Sequence, residues 1–281
     1  MIKRVVSLVL VVFVTGGPFS LAIANNNTTE ITRPRIAVVL SGGGARGLAH
    51  IGVLKALHEM RVPVDCIVGT SMGALVGGMY ATGMSPSQIE QMVAENDLAK
   101  FFDDLPPRAE RPYIIKQDDY QPLFDFSLGL NSDGIQLPAG VSAGYRFELF
   151  IKEIIGIGST NSNLDFDSLP TPYRATATNL ENGKLKVFKR GDIARVMRAS
   201  MSLPAIIAPV QFEGQTYIDG GFVENLPVDV GRAACGDIVI AVNLGSEPKD
   251  IEEVTNSLDV VLQSYLILSC RIKMSITLLR R

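Results

Sequence analysis

Apolar positions along this chain fall into two kinds of run. Unbroken apolar stretches at 35–40 and 62–68 predict strands buried on both faces, as in the interior of a parallel sheet. Between and after them, residues 48–60 and 84–98 place apolar side chains at helical spacing, so the chain opens β-α-β-α, the start of a three-layer α/β domain. Residues 101–140 lose this periodicity and gain Pro, Asp and aromatic positions, which predicts long loops bordering a groove. The pattern resumes with a helix at 144–155, strands at 173–179 and 185–189, and a helix at 190–200 ended by Ser202-Leu203-Pro204. Further strands follow at 208–212, 216–218 and 237–242. No internal repeat or boundary divides the stretch 35–250, and 251–281 reads as a C-terminal helical tail. In that tail Val260, Val261, Leu262, Leu266, Ile267 and Leu268 are apolar, but Arg271 and Lys273 interrupt the run before it could span a bilayer. It is expected to dock on a lipid surface or a partner, or to pack on the domain.

Composition narrows the picture. With 281 residues, 47% hydrophobic and 20% charged, the chain can bury a large core. A formal net charge of -3 supplies no broad basic field, so nucleic acid is excluded as a partner and any membrane contact has to come from local apolar surface. Residues 1–24 combine Lys3-Arg4, an apolar run from Val5 to Val14 and Ala22-Ile23-Ala24, the three parts of a secretory signal peptide. Export to the periplasm, the outer membrane or the medium is expected, with the polar residues 25–34 as a flexible lead-in. Of the three cysteines, Cys66 reads as a core residue, while Cys235 and Cys270 could pair, although no spacing demands it. No Cys/His cluster has metal-ligand spacing, and no metal or other cofactor is expected.

The chemistry concentrates in three places. Gly69-Thr70-Ser71-Met72-Gly73 stands between a strand and a small-residue helix, the context of a nucleophile elbow that projects the Ser71 hydroxyl. Ser41-Gly42-Gly43-Gly44-Ala45-Arg46-Gly47 follows the first strand and opens a helix. Its glycines at 42, 44 and 47 fit a dinucleotide fingerprint, but the acid expected at the end of the second strand is missing, since Asp65 lies at that strand's beginning. The N–H groups of Gly42, Gly43 and Gly44 serve equally as an oxyanion hole, with Arg46 either steadying the loop or meeting a substrate phosphate. A base is needed for Ser71. His50 and His58 both precede it on one helix, whereas Asp219 in Tyr217-Ile218-Asp219-Gly220-Gly221 ends a short apolar strand with room around it.

These three motifs, in this order over 35–245, resemble those of the patatin-like phospholipase family, and among its members those that are bacterial and exported. Ala199 to Pro204 and Asn225-Leu226-Pro227-Val228 resemble its accompanying segments, while Ser41 departs from the Asp of the plant-type pattern. The resemblance implies a three-layer α/β/α fold with a mostly parallel central sheet and a metal-free acyl hydrolase acting on phospholipid or another lipid ester. In it Ser71 is the nucleophile, Asp219 the proton acceptor and Gly42 to Gly44 the oxyanion loop. Peripheral membrane contact and a homodimer are compatible with it. A Rossmann-type oxidoreductase and a lipid-binding module without turnover remain the competing readings.

Overall fold

The fold was obtained as a computed structural model that describes residues 33–97, 113, 129–131, 134–136, 140–156, 162–245, 250–255, 257–269 and 276–280. The expected leader, nearly all of the lead-in, most of 101–140, and Cys270, Arg271 and Lys273 lie outside these residues.

Eight strands build the principal sheet. They are β1 (Ile36–Leu40), β2 (Cys66–Thr70), β3 (Tyr173–Asn179), β4 (Leu185–Phe188), β5 (Val210–Phe212), β6 (Gln215–Asp219), β7 (Ile238–Val242) and β8 (Ile276–Arg280). The apolar run of β1 has strands on both edges: β2 pairs parallel with Ala37 opposite Cys66, and β7 pairs parallel with Ile36 opposite Ile238. β3 extends the parallel centre, pairing with β2 from Ile67 opposite Tyr173 to Thr70 opposite Thr176. The margins are antiparallel, with β8 against β7 and β5 against β6.

One feature of β3 positions everything that follows. Along one edge its residues Ala175 to Thr178 pair with β4. The other edge is shared by two strands: β2 runs parallel up to Thr70 opposite Thr176, and β6 arrives antiparallel with Asp219 opposite Ala177. The carboxyl ends of β2 and β6 therefore meet head to head on adjacent residues of a single strand.

The helices are α1 (Ala49–Glu59), α2 (Met72–Ala81), α3 (Pro86–Glu95), α4 (Tyr145–Ile155), α5 (Ile193–Ser200), α6 (Val228–Ala234) and α7 (Ser257–Ser269). Strand alternation sends Val38, Leu40 and Ile67 to one face, into a core shared with α1, α2, α4 and α5. Ala37, Val39, Cys66 and Val68 face the other way, against Val228, Val230 and Ala234 of α6. Apolar packing on both faces makes this the three-layer α/β/α arrangement expected from the sequence. α2 is buried almost all round, and its glycines permit that: a Cβ on Gly78 would stand 1.9 Å from Met197 Cε. α3 begins where Pro86 fixes the first turn and Ser85 caps it, the Ser85 hydroxyl accepting from Gln88 N at 3.3 Å while Gln88 Oε1 accepts from Ser85 N at 2.8 Å.

The structure corrects three expectations. β2 begins at Cys66 rather than at 62, because Pro63 has no N–H to give a ladder and Asp65 turns its carboxylate onto the Ile36 N–H at 2.7 Å. The tail is not helical throughout: α7 stops at Ser269, and Ile276–Arg280 forms an edge strand on β7. Cys66 is not simply a core residue, since it forms a disulfide with Cys235, Cα–Cα 6.1 Å, tying the start of β2 to the end of α6 across 169 residues. Closing so long a loop restricts the unfolded chain, so reduction should lower unfolding free energy by about 2–4 kcal/mol. Urea midpoints with and without a thiol reductant measure this; coincident curves would show that the bond carries no stability. Among the described residues, no helix is long and apolar enough to cross a membrane.

Candidate active site

Ser71 lies between β2 and α2 at φ 53, ψ -124, backbone values a residue with a side chain rarely adopts. The flanking glycines make the turn feasible. A Cβ on Gly69 would be 2.2 Å from the Gly73 carbonyl oxygen, and one on Gly73 would be 2.4 Å from the Leu40 oxygen. What holds the strained residue is a hydrogen bond from Ser71 N to Ser200 Oγ at 2.8 Å, while Ser200 Oγ donates to Thr176 O at 2.6 Å. Two residues on, the Ser202 carbonyl accepts the Asp219 N–H at 2.9 Å. The segment at the end of α5 thus braces both Ser71 and Asp219.

The head-to-head strands bring these two together, and the Ser71 hydroxyl hydrogen-bonds the Asp219 carboxylate. Asp219 is 2% exposed. Burial pushes its carboxyl up to about 6, against the lowering effect of hydrogen bonds from Ser71, from the Gly221 N–H (2.8 Å to Oδ1) and from the Tyr265 hydroxyl. Thr178 Oγ1 donates to the Asp219 carbonyl at 2.9 Å, fixing the backbone from behind. A buried carboxylate bonded to a serine can accept that serine's proton.

The Gly-rich loop lies against the elbow, since a Cβ on Gly42 would come within 3.0 Å of Ser71 Cβ. It differs from expectation in one respect. The Gly42 N–H is taken by Asn225, 3.1 Å from Oδ1 and 3.3 Å from the carbonyl oxygen, so it is not directed at a substrate. Gly43 and Gly44, at the start of a short 3-10 turn, have no hydrogen-bond partner for their N–H groups among the described residues. Arg46 is exposed on that turn. Ser41 anchors the loop, its N–H on Val242 O at 3.0 Å and its Oγ accepting from Leu244 N at 2.8 Å.

Neither histidine bonds Ser71. His58 is exposed on α1, and His50 is fully buried, donating from Nε2 to Ser41 O at 2.8 Å. Burial lowers the His50 pKa to about 4, so the ring is neutral. His50→Ala should therefore cost stability, about 1–3 kcal/mol for a lost ring and an unpaired carbonyl, while turnover per folded molecule stays within about tenfold. Active-site titration beside thermal melting checks this. A rate loss matching that of Ser71→Ala at unchanged stability would make the histidine part of the chemistry. The dinucleotide reading loses its parts: the Gly42 N–H belongs to Asn225 and the Asp65 carboxylate to the Ile36 N–H.

Tyr265 was not expected here. From α7 its hydroxyl reaches Asp219 and Ser71, and lies 3.4 Å from Asn225 Oδ1. In the sequence, a tyrosine within the mostly apolar 260–268 is the one available sign.

The family model described as patatin-like phospholipase matches residues 38–231. Patatin-like phospholipase domain-containing protein 6 of Homo sapiens is 32% identical over 219 residues, 77% of this chain and 14% of that protein. Lysophospholipase NTE1 of Scheffersomyces stipitis is 31% identical, covering 77% of this chain and 12% of its own length. An uncharacterized NTE family protein of Mycobacterium tuberculosis is 34% identical, covering 76% and 50%. The chain thus spans half or less of the length of these curated relatives. Among solved structures, VipD from Legionella pneumophila aligns with a TM-score of 0.41 and 17% identity, over 68% of this chain and 46% of that one.

Proposed function

The chain belongs to the patatin-like phospholipase family, and from that premise we propose that it is a serine acyl hydrolase cleaving fatty-acyl esters of phospholipids or related lipids through Ser71 and Asp219. The observation that carries the reading is the hydrogen bond between the elbow hydroxyl and a carboxylate whose basicity burial has raised. Asp219 takes the Ser71 proton as Oγ attacks the ester carbonyl, and the Gly43 and Gly44 N–H groups receive the oxyanion. Collapse expels the alcohol, which leaves with the proton held on Asp219. Water then gives its proton to Asp219, attacks the acyl-serine and releases the fatty acid, restoring the Ser71 hydroxyl. Arg46, exposed on the 3-10 turn after Gly43, is suited to the phosphate of a phospholipid head group. We place the protein outside the cytoplasm, in the periplasm, the outer membrane or the medium. That placement draws on the leader-like residues 1–24 and on the Cys66–Cys235 disulfide, a bond that persists in oxidising compartments. Contact with the lipid surface is peripheral in this reading.

Hydrolysis of a chromogenic fatty-acyl ester, followed by a phospholipid panel, tests the proposal. A lipid-binding module would bind without turnover. The pH profile tests the base: only ionised Asp219 can accept the proton, so kcat/KM should rise with pH around a midpoint of about 6 and fall roughly tenfold for each unit below it. A flat profile between pH 5 and 8 would remove Asp219 from the role.

A further inference from the structure

We propose that Tyr265 is a positioning residue of the Ser71 and Asp219 pair, its hydroxyl fixing the carboxylate against the serine from a helix outside the residues the family model matches. The inference rests on the acyl-hydrolase reading above. Two glycines show that the hydroxyl is accommodated deliberately by its surroundings. A Cβ on Gly42 would lie 2.9 Å from Tyr265 Oη, and one on Gly221 only 2.4 Å from it. Neither glycine has a positive φ, so the backbone does not require them to lack a side chain. The tyrosine does. The second glycine of Asp219-Gly220-Gly221, which in sequence looks like part of a turn, leaves room for a residue 44 positions later.

The inventory of donors decides what the hydroxyl does. Tyr265 has one proton to give. Asp219 offers only acceptors, and Asn225 Oδ1 lies at 3.4 Å and already accepts from Gly42 N at 3.1 Å. The 3.4 Å contact to Asn225 is a long hydrogen bond, and ionised Asp219 is the stronger acceptor because it is charged, so we assign the proton to the carboxylate. The phenol stays protonated across any working range, because burial and then the nearby Asp219 charge raise its pKa well above the usual value. The ring is held edge-on against Phe222, centroids 5.1 Å apart, so the donor is fixed before substrate arrives. The groups acting on the Asp219 carboxyl are then Ser71 from the elbow, the Gly221 N–H from its own turn and Tyr265 from α7. Held by three donors, the carboxylate cannot swing away from Ser71.

Tyr265→Phe removes one oxygen and keeps the ring on Phe222. The probe is an alkyl fluorophosphonate, in which Ser71 Oγ bonds to phosphorus, fluoride leaves and the serine proton passes to Asp219. Intact mass of the full chain follows labelling between pH 5 and 8.5, without any lipid or turnover. The wild type should gain one adduct, absent in Ser71→Ala. In Tyr265→Phe labelling should be about tenfold slower even at pH 8.5, with its midpoint about one pH unit higher, since a carboxylate that loses a donor binds its proton more tightly. Equal rates and an equal midpoint would reduce Tyr265 to packing and overturn the inference while leaving the hydrolase reading intact. No labelling of the wild type would overturn that reading first. Should Tyr265→Phe melt lower, the midpoint still decides, because it does not depend on the fraction folded.

Discussion

Asp219→Asn should lower fatty-acyl ester hydrolysis by about 10⁴- to 10⁶-fold, the scale on which members of a concerted catalytic unit fail when one is removed. The asparagine keeps the shape and can still accept the Gly221 N–H, but it cannot take the Ser71 proton. The same change should not weaken the fold. Wild-type Asp219 has its folded carboxyl raised to about 6 from an ordinary 3.8, so the folded state binds the proton more tightly than the unfolded chain does. Its relative stability is then greatest at low pH and falls as pH rises through that window. The neutral asparagine escapes this loss. Asp219→Asn should therefore melt higher than wild type at pH 8, with the advantage fading as pH drops below about 6. Differential scanning at both pH values, beside an ester assay, reads the two effects together. Retention of more than about a tenth of the activity would unseat Asp219 as the base.

Ser71→Ala should cost as much, about 10⁴- to 10⁶-fold, for a different reason: no acyl-enzyme can form. The main-chain bond from Ser71 N to Ser200 Oγ remains available to an alanine, so the elbow keeps its brace. Binding of a non-hydrolysable lipid should persist while turnover vanishes. If ester hydrolysis survived, the nucleophile would have to be sought elsewhere in the chain.

Where chemistry and local pattern coincide, the sequence is legible. The unbroken apolar run of β1, the glycines that the elbow needs at 69 and 73, and the carboxylate ending β6 all leave local signatures, and they account for the sheet centre and for both Ser71 and Asp219. What escaped was made by tertiary return of the chain. Tyr265 meets Asp219 only because α7 packs on the turn at Gly220–Phe222, and no local rule couples those positions. Cys235 reaches Cys66 rather than Cys270 because α6 settles on the face of the sheet to which Cys66 points. Gly42 has a bonded N–H because Asn225 arrives from 183 residues away. The strand at Ile276–Arg280 was absorbed into a helical tail since five residues of Ile, Thr, Leu and Arg carry little signal until β7 offers them an edge.

The shared edge of β3 acts as a ruler with a single graduation. Thr176 and Ala177 are consecutive, and their partners are Thr70 and Asp219. Thr70 immediately precedes Ser71, so the strand ends that carry nucleophile and base stand one step apart along β3, about 3.3 Å. A slip of either incoming strand by one residue would displace its end by that length and also turn its side chain to the opposite face. No intermediate register is half competent. Substitutions that loosen this part of the sheet should then act on the population of molecules rather than on the rate of each: burst titration would count fewer working sites, every one of them running at full speed.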